Sequence, residues 1–419
     1  MLTRLSRTFH LYPFQFWMIF LGLLISTIGS SMIWPFLMVY VSEKLDLPLS
    51  SVTILITLNS VMGLIFSLLA GPVIDKVGRK WIMAISLLVN GLAYIIQSQA
   101  NSLPVFAIAM ALSGAFNPLY RVGADAMMAD LIPGERRADA YSLLRTSNNL
   151  GVAMGPAIGG MLVASSYSIA FYIAATGMIL YSLLVTFRFR ETLPSHTARR
   201  SLGATQKLST RQLFGGYNKV FGDRTYMTFI FFTILVMIPA SMLWVLLSVY
   251  VKQNYAIPEN KYGFLPTTNA LMVVFLQVAV TQITKRYRSL PVLAVGSLCY
   301  AIGVGSIAWM TGFWGFWISM VVMTIGELIQ SPTASTFAAN RAPADMRGRY
   351  MSLYGLTWPL GSGIGPLLGG FLNDSIRPQA IWIGALVIGL LSSSGFTLMA
   401  LAERRRKPDT EPEVLAEQP

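Results

Sequence analysis

Apolar stretches of about 20 residues recur along nearly the whole length of this 419-residue chain. As a helix, each stretch is long enough to cross a hydrocarbon core roughly 30 Å thick. The composition agrees, because 54% hydrophobic and only 12% charged residues leave too little polar surface to cover a soluble core. We therefore predict an all-α integral membrane protein.

The apolar stretches predict twelve transmembrane helices that fall into two groups of six. The first group belongs to an N-terminal bundle over residues 1–188 and the second to a C-terminal bundle over 226–402, with a polar cytoplasmic linker at 189–225 and a tail at 403–419. The first apolar run is too long for the core of a signal peptide, so we expect it to be retained as helix 1. The approximate spans are 14–41, 50–70, 81–99, 104–132, 138–164, 167–188, 226–251, 262–284, 290–311, 313–340, 347–373 and 379–402.

Basic residues are distributed unevenly between the predicted loops. If both termini are cytoplasmic, 25 of the 31 Lys and Arg residues lie on the cytoplasmic side and four on the other side. The positive-inside rule then fixes this orientation, and it explains the net charge of +13 without nucleic-acid binding. We expect a multi-pass protein of the cell membrane, with a bacterial inner membrane as its location.

The two groups of helices are related in sequence. A shift of 210 positions superimposes residues 132–162 on 342–372 and aligns a Pro, an Arg, a Ser-Leu pair and five residues of a glycine-rich run. Two parallel six-helix repeats with a substrate site between them near the midplane are typical of a rocking secondary transporter.

A ten-residue loop, GPVIDKVGRK, joins predicted helices 2 and 3. It resembles the signature loop of the major facilitator superfamily, G-x-x-x-D-x-x-G-R-K, and its matching residues are Gly71, Asp75, Gly78, Arg79 and Lys80. The two glycines are expected to let the chain turn tightly. The resemblance implies a gating latch in which Asp75 engages the start of helix 11 and Arg79 engages Asp130. The alternative is a basic loop that only sets topology.

Predicted helix 5 carries glycines at intervals of four, which form a flat face for close helix packing. The run GVAMGPAIGG resembles the motif associated with drug:proton antiporters in the superfamily, and helix 11 repeats it as GSGIGPLLGG. The repetition leaves two interpretations open, helix packing and a specific antiport signal. The residues concerned are Gly151, Gly155, Pro156, Gly159, Gly361, Gly365, Pro366 and Gly369.

Three ionisable residues, Arg121, Asp125 and Arg145, fall well inside predicted helices 4 and 5, away from the helix ends. Arg121 and Asp125 are four residues apart, so they can neutralise each other, and Arg145 lies at a similar depth in helix 5. Because charges within a membrane are expensive, such residues default to functional hypotheses. A structural cluster of the three and a direct role of Asp125 in binding substrate or proton both remain open.

Glu327 lies near the midplane in predicted helix 10, and the repeat pairs it with Asn117. No basic residue lies within one helical turn of it. A carboxyl group without a counter-charge suits the binding and release of a proton, or the binding of a cation when ionised. The alternative is a protonated carboxyl that only hydrogen-bonds between helices.

Aromatic and polar residues, most of them on helices 1, 4, 7 and 10, are candidates for the substrate cavity, since these four helices line the cavity in the superfamily. The chain's Met and aromatic residues would suit an adaptable apolar pocket, although most such residues in a membrane protein face lipid or other helices. The candidates are Trp34, Tyr40, Asn117, Tyr120, Trp244, Glu327 and Trp358.

The resemblance implies a proton-coupled antiporter that exports lipophilic or cationic compounds by alternating access. No nucleotide-binding loop is present, and His10 and His196 lie outside the spans, so we expect neither an enzyme nor a metal site nor a bound cofactor. The expected partners are a small-molecule substrate, protons and membrane lipids, and the chain is expected to act as a monomer. The alternatives are a carrier of a specific metabolite, lipid or sugar, and a non-transporting receptor or scaffold.

Overall fold

Long helices make up almost all of the computed structural model, which describes residues 11–193, 217–343 and 346–406. Twelve of them cross the molecule in the described residues, and we number them α1 to α12. Their bounds are α1 Phe14–Leu45, α2 Leu49–Val77, α3 Arg79–Gln99, α4 Leu103–Leu131, α5 Arg137–Ser165, α6 Tyr167–Arg188, α7 Arg224–Tyr255, α8 Glu259–Thr284, α9 Ser289–Ser306, α10 Gly312–Arg341, α11 as two stretches Arg347–Gly355 and Thr357–Ser375, and α12 Ala380–Arg406.

Ten of these helices are long and apolar enough to cross a membrane by length and composition. The other two are α5 and α11, the helices of the glycine-rich repeat. α5 carries charged residues in its first turns, and α11 is interrupted at Leu356. The twelve predicted spans each fall on one of the twelve helices, with end points that differ by a few residues.

The α2–α3 connection is a single residue, Gly78, whose φ of 102° lies in the left-handed region that favours glycine. The prediction that Gly71 also helps the chain turn is wrong, because α2 continues as a helix from Leu49 to Val77. In α1, a 3-10 turn at Trp34–Phe36 surrounds Pro35, which fits the missing backbone donor of proline. Asp46, with φ of 49°, ends the same helix.

The two halves pack their helices in the same pattern. In the first half α1 packs on α5 and α6, α2 on α4, and α3 on α4 and α6; adding six to each number gives the packing of the second half. Between the halves, α2 packs on α11, α5 on α8, and the end of α1 on α7. This is the arrangement of two pseudo-symmetric six-helix bundles.

Among the described residues, the hydrophobic core is continuous across both halves at one face. We call the side with the α2–α3 connection and the inter-bundle linker the linker face, and the other side the opposite face. Near the opposite face one cluster joins residues of both halves, including Phe36, Val41, Leu246 and Tyr250. Toward the linker face the described residues form separate clusters within each half, two in the first half and one in the second. The halves therefore meet at the opposite face and separate toward the linker face.

Candidate functional site

Glu327 is the sixteenth of the 30 residues of α10, at the middle of the helix. Its side chain is half-buried. Among the described residues, no Lys or Arg nitrogen lies within 4 Å of its carboxyl group. Its neighbour is a neutral amide, since Asn269 of α8 donates a hydrogen bond of 2.7 Å to Oε2. This carboxyl group can therefore change charge without breaking an ion pair.

Asn269 is itself fixed by a second contact. It is 4% exposed, and its amide nitrogen also donates to Thr324 Oγ1 at 3.0 Å. The Thr324 hydroxyl in turn donates to the Met320 carbonyl oxygen at 2.7 Å. The sequence did not predict this series of hydrogen bonds, because Asn269 and Glu327 are 58 positions apart and meet only where α8 packs on α10.

The predicted cluster of Arg121, Asp125 and Arg145 does not form as an ion-paired, buried group. All three side chains are exposed, and in the described residues no pair of them lies within 4.0 Å. Helices α4 and α5 instead present these charges separately on the part of the bundle where the halves diverge. Arg121 still acts electrostatically on Asp125, but the described residues form no close ion pair between these three side chains.

Arg79 is the centre of an ion-pair group at the linker face. Its guanidinium lies 3.5 Å from Asp75 and 3.2 Å from Asp130 at the end of α4. Lys80 follows it at the start of α3, and its ammonium lies over the Trp81 ring. The structure thus brings Asp75, Arg79 and Asp130 together. Contact between Asp75 and the start of α11 stays a prediction.

A residue that sequence reasoning did not single out completes this group. Glu191, in the segment after α6, accepts hydrogen bonds from the backbone N–H groups of Arg79 and Lys80 at 3.0 and 3.1 Å. It therefore caps the N-terminus of α3, where a carboxylate is favoured. Thr192 donates to Asp130 at 2.9 Å, so this segment fastens the ends of α3 and α4.

The second half has a linker-face ion pair of its own, which sequence reasoning also missed. Arg341 at the end of α10 donates two hydrogen bonds of 2.9 Å to Asp223. Burial opposes ionisation of Asp223, but hydrogen bonds from Arg341, from the Tyr226 backbone N–H and from Tyr350 outweigh it, so the pKa of Asp223 is lowered from 3.8. Asp223 also caps the N-terminus of α7. An Asp directly before an apolar helix was the one sequence signal that pointed to a structural role for this residue.

The glycines of α5 and α11 make close contacts within each half. A Cβ on Gly151 would lie 2.7 Å from the Thr27 side chain of α1, and one on Gly159 would overlap the Met32 carbonyl. The equivalent face of α11 meets α7, where a Cβ on Gly361 would lie 2.5 Å from Met237. The remaining motif residues on these helices are Gly155, Gly365 and Gly369, which also face α1 or α7, and Pro156 and Pro366 inside the helices.

The second glycine of each Gly-Gly pair faces the other half. A Cβ on Gly160 would lie 2.6 Å from the Glu259 carbonyl oxygen at the start of α8. A Cβ on Gly370 would lie 2.7 Å from Thr53 and 2.9 Å from Ser50, both in α2. The motif therefore serves packing within each half and contact between the halves.

A group of charges closes the opposite face. Lys252 of α7 forms an ion pair with Glu259 and lies 3.2 Å from Glu43 of the first half. Tyr167 of the first half donates to Glu259 at 2.8 Å. In the described part of the chain, every hydrogen bond or ion pair between the halves lies on the opposite-face side of the bundle. The other such hydrogen bonds are Ser42–Gln253, Ser50–Asp374, Thr57–Gly363, Ser60–Ser362 and Ala153–Thr267.

The predicted cavity residues fall into two groups. Trp34, Asn117 and Trp358 are exposed, and Trp244 and Glu327 are half-buried. Tyr40 and Tyr120 are instead buried inside the first half, where Tyr40 packs against Phe106 and Phe171 and Tyr120 against Tyr181. These two tyrosines do not line an open cavity in this structure.

A groove of 630 Å³ lies along the seam between α2 and α11. Its walls are apolar side chains such as Ile54, Val61 and Ile364, and Ser60 is among its few polar residues. None of the predicted cavity residues lines this groove, so it is separate from the region around Glu327.

The family model of the Major Facilitator Superfamily matches this chain at residues 19–241 and again at 229–418. The chain belongs to the major facilitator superfamily. It is a membrane transporter of this superfamily and not an enzyme.

Curated relatives of this superfamily member span nearly its whole length. It is 26% identical to the MFS-type transporter YhjO of Bacillus subtilis, over 92% of each chain. It is 26% identical to a Na(+), Li(+), K(+)/H(+) antiporter of Planococcus maritimus, over 84% of this chain and 86% of the relative. It is 22% identical to the quinolone resistance protein NorA of Staphylococcus aureus, over 94% and 97%.

Solved structures show the same fold at low sequence identity. The nucleoside transporter NupG matches with a TM-score of 0.78 and 12% identity, over 93% of this chain and 99% of NupG. A bacterial homologue of the human lysosomal transporter Spinster, in an inward-facing and occupied conformation, matches with a TM-score of 0.74 and 13% identity, over 94% and 98%. The fold expectation is confirmed.

Proposed function

We propose that this superfamily transporter is a proton-coupled antiporter that exports lipophilic or cationic compounds, and that Glu327 carries the coupling proton. The observation that carries the proposal is the position of Glu327. It is a half-buried carboxyl at mid-helix whose contact is a neutral amide, with no basic partner among the described residues. Such a group can load and release a proton, or attract a cation when ionised.

The relatives favour antiport as the mode of coupling. One is named as an antiporter of monovalent cations and protons and another as a quinolone resistance protein. Asp125, an exposed acid on α4, is the second candidate for the proton.

The gating arrangement supports alternating access. The linker face carries most of the basic residues, so we assign it to the cytoplasm by the positive-inside rule, with both termini on that side. The structure then corresponds to a cytoplasm-open state, closed outside by contacts between the halves around Lys252 and Glu259. The cycle requires these contacts to break while the cytoplasmic ends, with their latch at Arg79, come together. We propose that a single chain performs this cycle in a bacterial inner membrane.

The test is substrate-dependent proton flux in proteoliposomes that hold the purified protein and a luminal pH dye. The panel comprises a lipophilic cationic dye, Na⁺, K⁺, a sugar and a phospholipid. The proposal expects the cationic dye to drive protons in the opposite direction to its own movement. Proton flux only with the sugar, or protons moving in the same direction as the dye, would contradict it. Flux with Na⁺ or K⁺ alone would keep antiport and reject the substrate class.

A further inference from the structure

The contacts around Asn269 decide which atoms of Glu327 are free to react. This inference rests on the proposed role of Glu327. Thr324 donates its single hydroxyl hydrogen to the Met320 carbonyl oxygen, which can only accept. Toward Asn269 the Thr324 oxygen can therefore only accept a hydrogen bond. The Asn269 atom that faces it at 3.0 Å must be the amide nitrogen.

This reasoning fixes the orientation of an amide group, which could otherwise be flipped. The same nitrogen lies 2.7 Å from Glu327 Oε2, so its two hydrogens are directed to Thr324 and to Glu327. Oε2 consequently accepts a hydrogen bond in this arrangement. In the described residues no hydrogen bond reaches Oε1.

We propose that Asn269 is a positioning residue that reserves Oε2 as an acceptor and directs the coupling proton of Glu327 to Oε1. A protonated carboxyl group has one hydroxyl oxygen and one carbonyl oxygen, and the carbonyl oxygen accepts the N–H. When the proton leaves Oε1, Oε2 keeps the same hydrogen bond. The carboxyl group therefore loads and releases its proton without rotating.

Other groups around Glu327 do not supply this orientation. On α9, Tyr300 is the titratable side chain that interacts electrostatically with Glu327, and the described residues place no Lys or Arg within 4 Å. Gln277 of α8 also bonds to α10, at the Leu328 carbonyl oxygen at 3.1 Å, but this contact does not involve the Glu327 carboxyl. It offers a matched control, because it joins the same two helices.

The experiment is infrared difference spectroscopy of the full-length protein in lipid over a pH series. The carboxylic-acid C=O band of Glu327 is identified as the band that disappears in Glu327→Gln. A C=O that accepts a hydrogen bond absorbs at lower frequency, so Asn269→Leu should move this band upward. Thr324→Val, which removes the acceptor that orients the amide, should move it in the same direction. Thr324→Ser and Gln277→Leu should leave it in place.

The outcomes separate the two proposals. A Glu327 band that is present and stays in place in Asn269→Leu and Thr324→Val overturns the role of Asn269 and leaves the coupling role of Glu327 intact. The absence of a titrating Glu327 band in the wild type overturns both. If Asn269→Leu does not fold, the isosteric Thr324→Val decides alone. Proton-coupled uptake of ethidium by the same variants should show an altered pH profile for Asn269→Leu and Thr324→Val and a normal one for Gln277→Leu.

Discussion

Replacing Gly160 with Ala should shift the protein out of the state in which the opposite face is closed. The new Cβ would lie 2.6 Å from the Glu259 carbonyl oxygen, whereas real Cβ atoms essentially never come within 3.0 Å of another heavy atom. The two halves would have to separate by at least 0.4 Å at this point. Overpacking of this kind costs about 1–3 kcal/mol, and the contact exists only while the opposite face is closed. We therefore expect a population shift of about 5- to 140-fold toward the state with that face open.

The adjacent glycine gives the matched control. A Cβ on Gly159 would overlap the Met32 carbonyl oxygen of α1, within the same half. This clash is present in every conformational state, so Gly159→Ala should lower the melting temperature of the purified protein without favouring one state. Gly370→Ala and Gly369→Ala make the equivalent pair in the second half.

The assay is electron–electron distance measurement between spin labels at Asn101 and Arg377, two exposed positions at the opposite face. The one native cysteine, Cys299, is first replaced by Ser. Gly160→Ala should increase the long-distance population, and Gly159→Ala should leave the distance distribution unchanged. Identical distributions for wild type and Gly160→Ala, or the same shift in both variants, would refute this reasoning.

Three further predictions concern the charged groups at the two faces. Arg79→Ala removes the 3.2 Å pair with Asp130 and should leave the protein folded while shifting the distances between labels at the linker-face ends of the two halves. Unchanged distances would argue against a latch. Asp223→Asn should lower the melting temperature by an amount that is constant above about pH 5 and shrinks as the pH falls below about 4. The reason is that the lowered pKa of Asp223 contributes stability that is lost as the pH falls through the pKa of the folded state. A melting-temperature difference between wild type and variant that grows as the pH falls would be inconsistent with this. Tyr167→Phe removes a 2.8 Å hydrogen bond to Glu259 between the halves, worth about 1.5–3 kcal/mol for a charged acceptor. It should favour opening of the opposite face, measured with the same opposite-face labels, and a closed-face population equal to that of the wild type would count against it.

Elements that depend on local sequence were predicted well. The helices, their division into two sets of six and the glycine faces follow from hydropathy, periodicity and a repeat of 210 residues. Two features of the structure differ from the sequence prediction, each for a physical reason. Gly71 lies in a helix because the apolar run of α2 continues past it to Val77, and the charges of α4 and α5 stay exposed because the halves diverge there. A sequence does not show in which state the halves stand.

Contacts between distant helices were the main omission. Arg341 and Asp223 are 118 residues apart, and Asn269 and Glu327 are 58 apart. No local periodicity links such pairs, since their contact depends on how α7, α8 and α10 pack. The repeat aligned Glu327 with Asn117, but it held no information on a partner from α8. The Arg79–Asp130 pair was anticipated only because the loop resembles a family motif.

Proton coupling through Glu327 is tested most directly by comparing wild type, Glu327→Gln and Asp125→Asn in inverted membrane vesicles over a pH series. The measured quantities are binding of a cationic dye and its proton-driven uptake. Glu327→Gln mimics the protonated state, so it should abolish gradient-driven uptake, weaken binding of the cation and remove the pH dependence of binding. Asp125→Asn should retain all three. Full proton-coupled uptake by Glu327→Gln, with uptake lost in Asp125→Asn, would contradict the account and assign the proton to α4.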